Sequence, residues 1–240
     1  FPAFTLNKGV CAIFPFNLMI GSSRLKYATA QPLAIMQANG KTHYFFYAHE
    51  GISPEYLFEN KKARKVVPGL KSSFTIKGAD GVETIITTLT REQALRFNKW
   101  NDYFCITDAT LLQNEANVSL QARSNVFTCI LPAAAKPDFG KYKPTVRKQG
   151  RFAEYTIEVP AVQVEFEVKE ISKQRYTFNL KKSAFTENLS DIILDINYVG
   201  DNAVAFIDGR MVNDHLYYGN SWQIGLKQYI DEIDRKGMYF

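Results

Sequence analysis

The sequence predicts an all-β protein of two antiparallel β-sandwich domains, with one or two short helices. Two observations carry this. Apolar residues recur with a period of two in short runs about ten residues apart, and the runs are separated by turn-forming residues rather than by helical stretches. In the first half the expected strands are LKYAT, PLAIMQ, HYFFYA, EYLFE, SFTIKG, VETIITTL, YFCIT, VSLQA and NVFTCIL. Asn39-Gly40 and Asp80-Gly81 fall between pairs of them and read as hairpin turns. In the second half Tyr155, Ile157 and Val159, then Val162, Val164, Phe166 and Val168, alternate with polar residues, as half-buried strands do. RYTFNL, DIILDINYV and AVAFI continue the series.

Helical signals are few. Thr90 stands three residues before Gln93 in a capping-box pattern, with Ala94 and Phe97 as a short apolar stripe ahead of Trp100. Leu226, Tyr229, Ile230 and Ile233 have the spacing of one helical face, ending at Gly237. Neither helix alternates with strands in a βαβ rhythm, which excludes a doubly wound sheet or a TIM barrel. Between Leu131 and Gly150 prolines and glycines lie among lysines, so this stretch reads as a basic linker between domains 1–130 and 151–240. The sequence also reads as a piece of a longer chain. No initiator methionine or signal-peptide pattern precedes Phe1, and the terminal MYF looks like a strand opening, the second domain being truncated at its C-terminus.

The 240 residues are 46% hydrophobic and 14% aromatic, enough to fill real cores. No apolar run is long enough to span a membrane as a helix. Cys11, Cys105 and Cys129 lack any CxxC spacing, and the last two sit in apolar runs as buried free thiols would. The net charge is +5, and the linker-like stretch holds most of the excess in Lys136, Lys141, Lys143, Arg147 and Lys148. A second basic run, KKARK from Lys61, has no interleaved aromatics, and no nucleic-acid-binding module is recognisable, so no nucleic-acid partner is expected.

The chemistry-bearing residues are sparse. There is no GxSxG, and His49-Glu50 lacks the second histidine of a zinc-binding HExxH. His43 reads as a packing residue at a strand end. Asp214 and His215 are neighbours on a strand and so point to opposite faces. Asp201, Asp208 and Asp214 do not follow a calcium-loop pattern. Glu50 and Glu55, flanking a turn, are the best carboxylate pair for glycoside hydrolysis, and no position stands out as catalytic. No cofactor or metal ligand set is expected.

One stretch is more distinctive. From Tyr198 to Leu226 the chain reads Y-x-G-D-x-A-x-x-x-x-D-G-x-x-x-x-D-x-x-x-x-G-x-x-W-x-I-G-L, that is, turn, strand, Asp-Gly turn, returning strand, loop and Trp222. This resembles the C-terminal jelly-roll region of bacterial glycoside hydrolases of the family 35 β-galactosidase type. IFPFNLMIGSSRLKYATAQPL from Ile13 and YFFYAHEGISPEYLF from Tyr44 are similar to the β region that precedes it in those proteins. The resemblance implies a galactose-binding-like jelly roll for the second domain. The family's catalytic glutamates lie in a barrel that this sequence lacks, so the resemblance carries over no catalytic residue. It implies a non-catalytic accessory portion packing on a catalytic barrel, in a parent enzyme placed in the periplasm or outside the cell. A galactoside-containing glycan is the implied ligand. Aromatic rings stack on pyranose faces while short polar side chains bond the hydroxyls, so Tyr217, Tyr218 and Trp222 with Asn213, Asp214 and Asn220 would form a sugar lip. For Trp222 the other reading is a core residue. The competing expectation for the whole chain is an autonomous hydrolase using Glu50 and Glu55, or Asp214 and His215.

Overall fold

A computed structural model of the chain describes residues 2–38, 40–100, 103–114 and 117–240. It divides into two compact units, Phe1–Pro160 and Ala161–Phe240. The first unit runs β1 (Phe16–Ile20), β2 (Ser23–Ala28), β3 (Gln31–Ala38), β4 (Lys41–Tyr47), β5 (Glu55–Phe58) and β6 (Arg64–Lys65). It continues through β7 (Phe74–Lys77), β8 (Glu83–Leu89), α1 (Arg91–Leu95), β9 (Phe97–Trp100) and β10 (Tyr103–Thr107). It closes with β11 (Thr110–Gln113), β12 (Val118–Gln121), β13 (Val126–Pro132), β14 (Thr145–Gln149) and β15 (Phe152–Glu158). All nine strands expected in the first half are present. The Asp80-Gly81 turn is also found, its Asp80 carboxylate accepting from the Val82 amide at 2.9 Å and the Ser22 hydroxyl at 2.7 Å. The Asn39-Gly40 turn includes Asn39, which lies outside the described residues.

Three sheets are layered over one another in this unit. The first has the order β1-β2-β5-β6, the second β3-β4-β8-β7 and the third β14-β15-β13-β10-β9, with the hairpin β11-β12 beside the third. Consecutive residues on a strand face opposite ways, and in β4 this feeds two cores. Phe46 joins Ile20, Leu25, Phe58 and Ile86 between the first and second sheets. Phe45 joins Leu89, Phe104, Ile106 and Phe152 between the second and third. The second sheet is therefore covered on both faces, which explains why HYFFYA is a continuous apolar run instead of an alternating one. The same burial falls on β8, whose Thr84, Thr87 and Thr88 are at most 3% exposed. Buried hydroxyls must be bonded: Thr88 meets the Tyr56 hydroxyl at 2.7 Å and Thr87 meets Ser73 at 2.8 Å. A third core gathers Cys105, Cys129 and Ile157 with Trp100. Both thiols are free and fully buried, as the apolar runs around them implied, while Cys11 is exposed. The Cys105 thiol is pushed upward in pKa by its hydrogen bond to Cys129 and by burial.

Two expectations change. The stretch 131–150 is no free linker: β14 is an edge strand on β15, and Phe139 packs edge-on against Trp100 at 5.8 Å. The side chains of β14 are almost all exposed, so this strand has no apolar alternation to betray it. The division between units accordingly falls after Pro160. The capping box at Thr90 is present, but α1 stops at Leu95 and Phe97 opens β9 in place of a helical stripe.

The second unit holds β16 (Phe166–Ser172), β17 (Arg175–Leu180), β18 (Ile193–Ile196), β19 (Asn202–Ile207), β20 (Arg210–Leu216), β21 (Trp222–Gly225), α2 (Ile230–Lys236) and β22 (Met238–Tyr239). A five-stranded sheet, β16-β17-β22-β19-β20, and a two-stranded sheet, β18-β21, enclose one core of Phe178, Leu180, Ala205, Ile207, Trp222 and Ile224. This is a β-sandwich. Val162 and Val164 precede the strand that was expected to contain them, and every residue of β16 is exposed, so the alternation there marks a sheet edge and not a half-buried face. The helix α2 buries Ile230 and Ile233 and ends at Gly237, whose φ of 73° is the left-handed conformation that glycine adopts without strain. Residues Met238–Tyr239 pair with both β17 and β19. Among the described residues no helix is long and apolar enough to cross a membrane.

Candidate functional site

The hairpin β19–β20 is built by Asp208 and Gly209, whose φ values of 50° and 79° match the two left-handed positions of a type I′ turn. Its returning strand presents Asn213 and His215 toward the end of the sandwich where the loop 217–221 leads into β21. There Asn213, Asp214, His215, Tyr218, Asn220, Ser221, Trp222 and Gln223 surround an open hollow of about 570 Å³. Five of the six residues of the expected sugar lip are thus brought together. Tyr217 does not line the hollow; it is half-buried and packs on Tyr198 with ring centroids 5.3 Å apart.

The six differ in what they can do. Trp222 is only 3% exposed, its ring stacks on His215 and meets Phe240 edge-on, and its indole N–H donates to Asn213 Oδ1 at 2.9 Å. It is therefore a core residue whose edge reaches the hollow, and its faces are already covered. Asn213 spends its carbonyl on that bond. Tyr218 is the opposite case, 73% exposed and supported from behind by the His215 ring at 5.7 Å. Asp214 and Asn220 are exposed at the rim.

His215, which was not among the expected lip residues, finds its partner in Tyr198, the first residue of the stretch. The Tyr198 hydroxyl donates to the His215 carbonyl at 3.0 Å and lies 2.8 Å from its Nδ1. A hydroxyl has one proton to give, and whether Nδ1 donates or accepts in this pair is set by the imidazole tautomer. Loss of hydration around Tyr198 raises its phenol pKa, with the nearby Tyr217 adding to the effect, so the hydroxyl remains a donor. Tyr198 opens the sequence pattern, but its reach to β20 depends on tertiary packing that spacing does not reveal. Asp214 and His215 both line the hollow although they are neighbours on β20, Asp214 exposed and His215 half-buried, and Asp214 is the one carboxylate of a lining otherwise made of amide, hydroxyl and ring groups.

Glu50 and Glu55 lie in the other unit and do not share an environment. Glu50 is exposed on a turn, whereas Glu55 is 8% exposed and accepts the Tyr27 hydroxyl at 2.6 Å, fastening β5 to β2. The carboxylate holds the Tyr27 phenol above its ordinary pKa. His43 is buried and stacks on Phe45, as a packing residue does.

His49 is 6% exposed, with its Nε2 2.9 Å from Gln31 Oε1. Burial lowers its pKa, and the charge of Arg91 lowers it further. In the unfolded chain a histidine titrates near 6.5. The unfolded state therefore takes up the proton first as pH falls below that value, and stability that is complete above it is lost toward the lower folded pKa. Urea unfolding of the wild type is expected to shift to lower urea between pH 7.5 and pH 5.5, and His49→Gln to shift less. An equal shift in both proteins would assign the pH dependence to other groups.

Fold and hollow together define an all-β protein with a polar surface cleft on its second unit. No protein-family model and no curated protein matches the chain.

Proposed function

We propose that the chain is the non-catalytic accessory β-sandwich portion of a β-galactosidase-like glycoside hydrolase, and that the hollow beside Tyr218 takes a galactoside-containing glycan. The observation that carries this reading is the exposed Tyr218 ring, supported by the His215 ring and accompanied by the amide and hydroxyl groups and one carboxylate of the hollow. A phenol face offers the flat apolar surface that a pyranose stacks on, and the rim offers partners for its hydroxyls. The sequence pattern from Tyr198 to Leu226 supports the family assignment. In this reading the catalytic barrel is the partner of the chain, and the parent enzyme works in the periplasm or outside the cell.

One aromatic platform with few polar contacts supports only weak binding, roughly millimolar. Titration with galactosides is expected to perturb Trp222 fluorescence, because its indole edge borders the hollow. Tyr218→Ala is expected to weaken binding about five- to tenfold. The absence of any response of the wild type at millimolar ligand would sink the proposal. A turnover assay on nitrophenyl galactoside separates the autonomous-hydrolase reading: no activity is expected. Robust turnover lost in Glu50→Gln or Glu55→Gln would replace the accessory role with a catalytic one.

A further inference from the structure

The first unit carries a second kind of surface. Two adjoining hollows, of about 630 and 520 Å³, share Arg64 and are walled by the turn after β5, by β6 and by the segment leading to β7. Lys61, Lys62, Arg64, Lys65 and Lys71 are exposed around them, and among the described residues none of these five forms an ion pair. Arg24 and Lys77 add two more cations. Arg24 lies 3.9 Å from Glu59, the one carboxylate of the lining, and Lys77 faces Glu83 across the β7–β8 register. Seven cations against one carboxylate is an excess greater than the +5 of the entire chain. Four of the seven belong to the KKARK run and folding adds Arg24, Lys71 and Lys77 to it, while Arg147 of the other basic stretch is paired with Glu154 at 2.8 Å.

The geometry of the floor selects the ligand. Tyr56, Phe58 and Phe74 lie beneath the cations and are at most 7% exposed. The Arg64 guanidinium sits 4.3 Å above the Phe74 ring, which covers that face and holds the planar fork in place. Among the aromatic residues lining the hollows none is left exposed for a nucleobase to stack on. Ser72 and Ser73 are spent on Thr88 and Thr87, so what the walls offer beside the cations is Asn60, the Nε2 end of Gln93 whose Oε1 caps Thr90, and the Oε1 end of Gln149 whose Nε2 bonds Glu154. Charged side chains on an edge strand such as β6 also discourage aggregation, yet Arg64 and Lys65 alone would serve that purpose.

We propose that these joined hollows bind an acidic polysaccharide, one whose carboxylate or sulfate groups meet the lysines and Arg64 while its hydroxyls meet Asn60 and the amide ends of Gln93 and Gln149. The test uses the full chain with polygalacturonate, heparin, a neutral galactan and duplex and single-stranded DNA. Retention of at least one acidic glycan at low salt, its release as salt rises, and no retention of the galactan are expected. The comparison of polygalacturonate with heparin identifies carboxylate or sulfate as the preferred group. The triple variant Lys61→Gln, Lys62→Gln, Lys65→Gln, all at exposed positions, is expected to bind about tenfold more weakly. An equal loss of charge in Lys136→Gln, Lys143→Gln, Lys148→Gln is expected to change binding roughly twofold or less. Lys71→Gln, in the neighbouring hollow, weakens binding by itself. Failure to retain either glycan, equal losses in the two triple variants, or DNA binding as tight as the better glycan would overturn the proposal.

Discussion

Replacing Trp222 by alanine is expected to destabilise the second unit by about 3–5 kcal/mol, a large share of what a small sandwich has to lose. The indole is wedged between His215, Tyr198 and Phe240, so its removal leaves a void bordered by rings that cannot all collapse inward. Asn213 also loses the N–H that occupies its carbonyl. Trp222→Phe keeps most of the packing and gives up that hydrogen bond, so it is expected to cost about 1–2 kcal/mol. Urea unfolding followed by far-UV circular dichroism measures both. If Trp222→Ala unfolded at the wild-type midpoint, the ring would be a surface residue and the case for it as a direct sugar platform would return.

Phe45→Ala is expected to be equally costly in the first unit, again about 3–5 kcal/mol. Phe45 is 1% exposed and contacts Phe104 and Phe97 with ring centroids 4.6 and 5.1 Å away. It stands in a sheet clamped from both sides, where neighbouring layers have little freedom to close over a cavity. The chain has two tryptophans, Trp100 in the first unit and Trp222 in the second. Fluorescence of a Trp222→Phe background therefore reports unfolding of the first unit through Trp100. A midpoint shift worth less than about 1 kcal/mol in Phe45→Ala would contradict the packing between the second and third sheets.

Much of the strand content was legible because alternation and turn chemistry are local. Asp208-Gly209 and the Thr90 capping box act within a few residues, and each performs as its pattern implied. What was not legible depends on which faces meet. HYFFYA marks a buried strand, but nothing in it tells that Phe45 and Phe46 serve different cores. The edge strands β14 and β16 carry almost no burial signal, and this is why the former was hidden inside a stretch that reads as linker. The lip residues were within reach because they are close in sequence. The separation of their roles was not, since an indole sealed by Phe240 and a phenol open to water look alike as letters. The KKARK run at the centre of the basic hollows was visible, but the walls that join it, from Arg24 to Gln149, are too far apart to be seen as one surface in the sequence.

The pairing of β4 with β8 has a kinetic consequence. These neighbours are parallel, in register from Thr42↔Thr84 to Tyr47↔Leu89, and the chain between them leaves to add β5 and β6 to another sheet before returning through β7. A parallel contact of this kind cannot zip up from a turn; its ends must find each other across an excursion of some forty residues that is itself unfolded at the start. The central layer is consequently the part of the first unit with the highest contact order and the latest to consolidate. Destabilising changes confined to β4 and β8 are then expected to speed unfolding more than they slow folding, whereas changes in the local β1–β2 hairpin act on the folding limb.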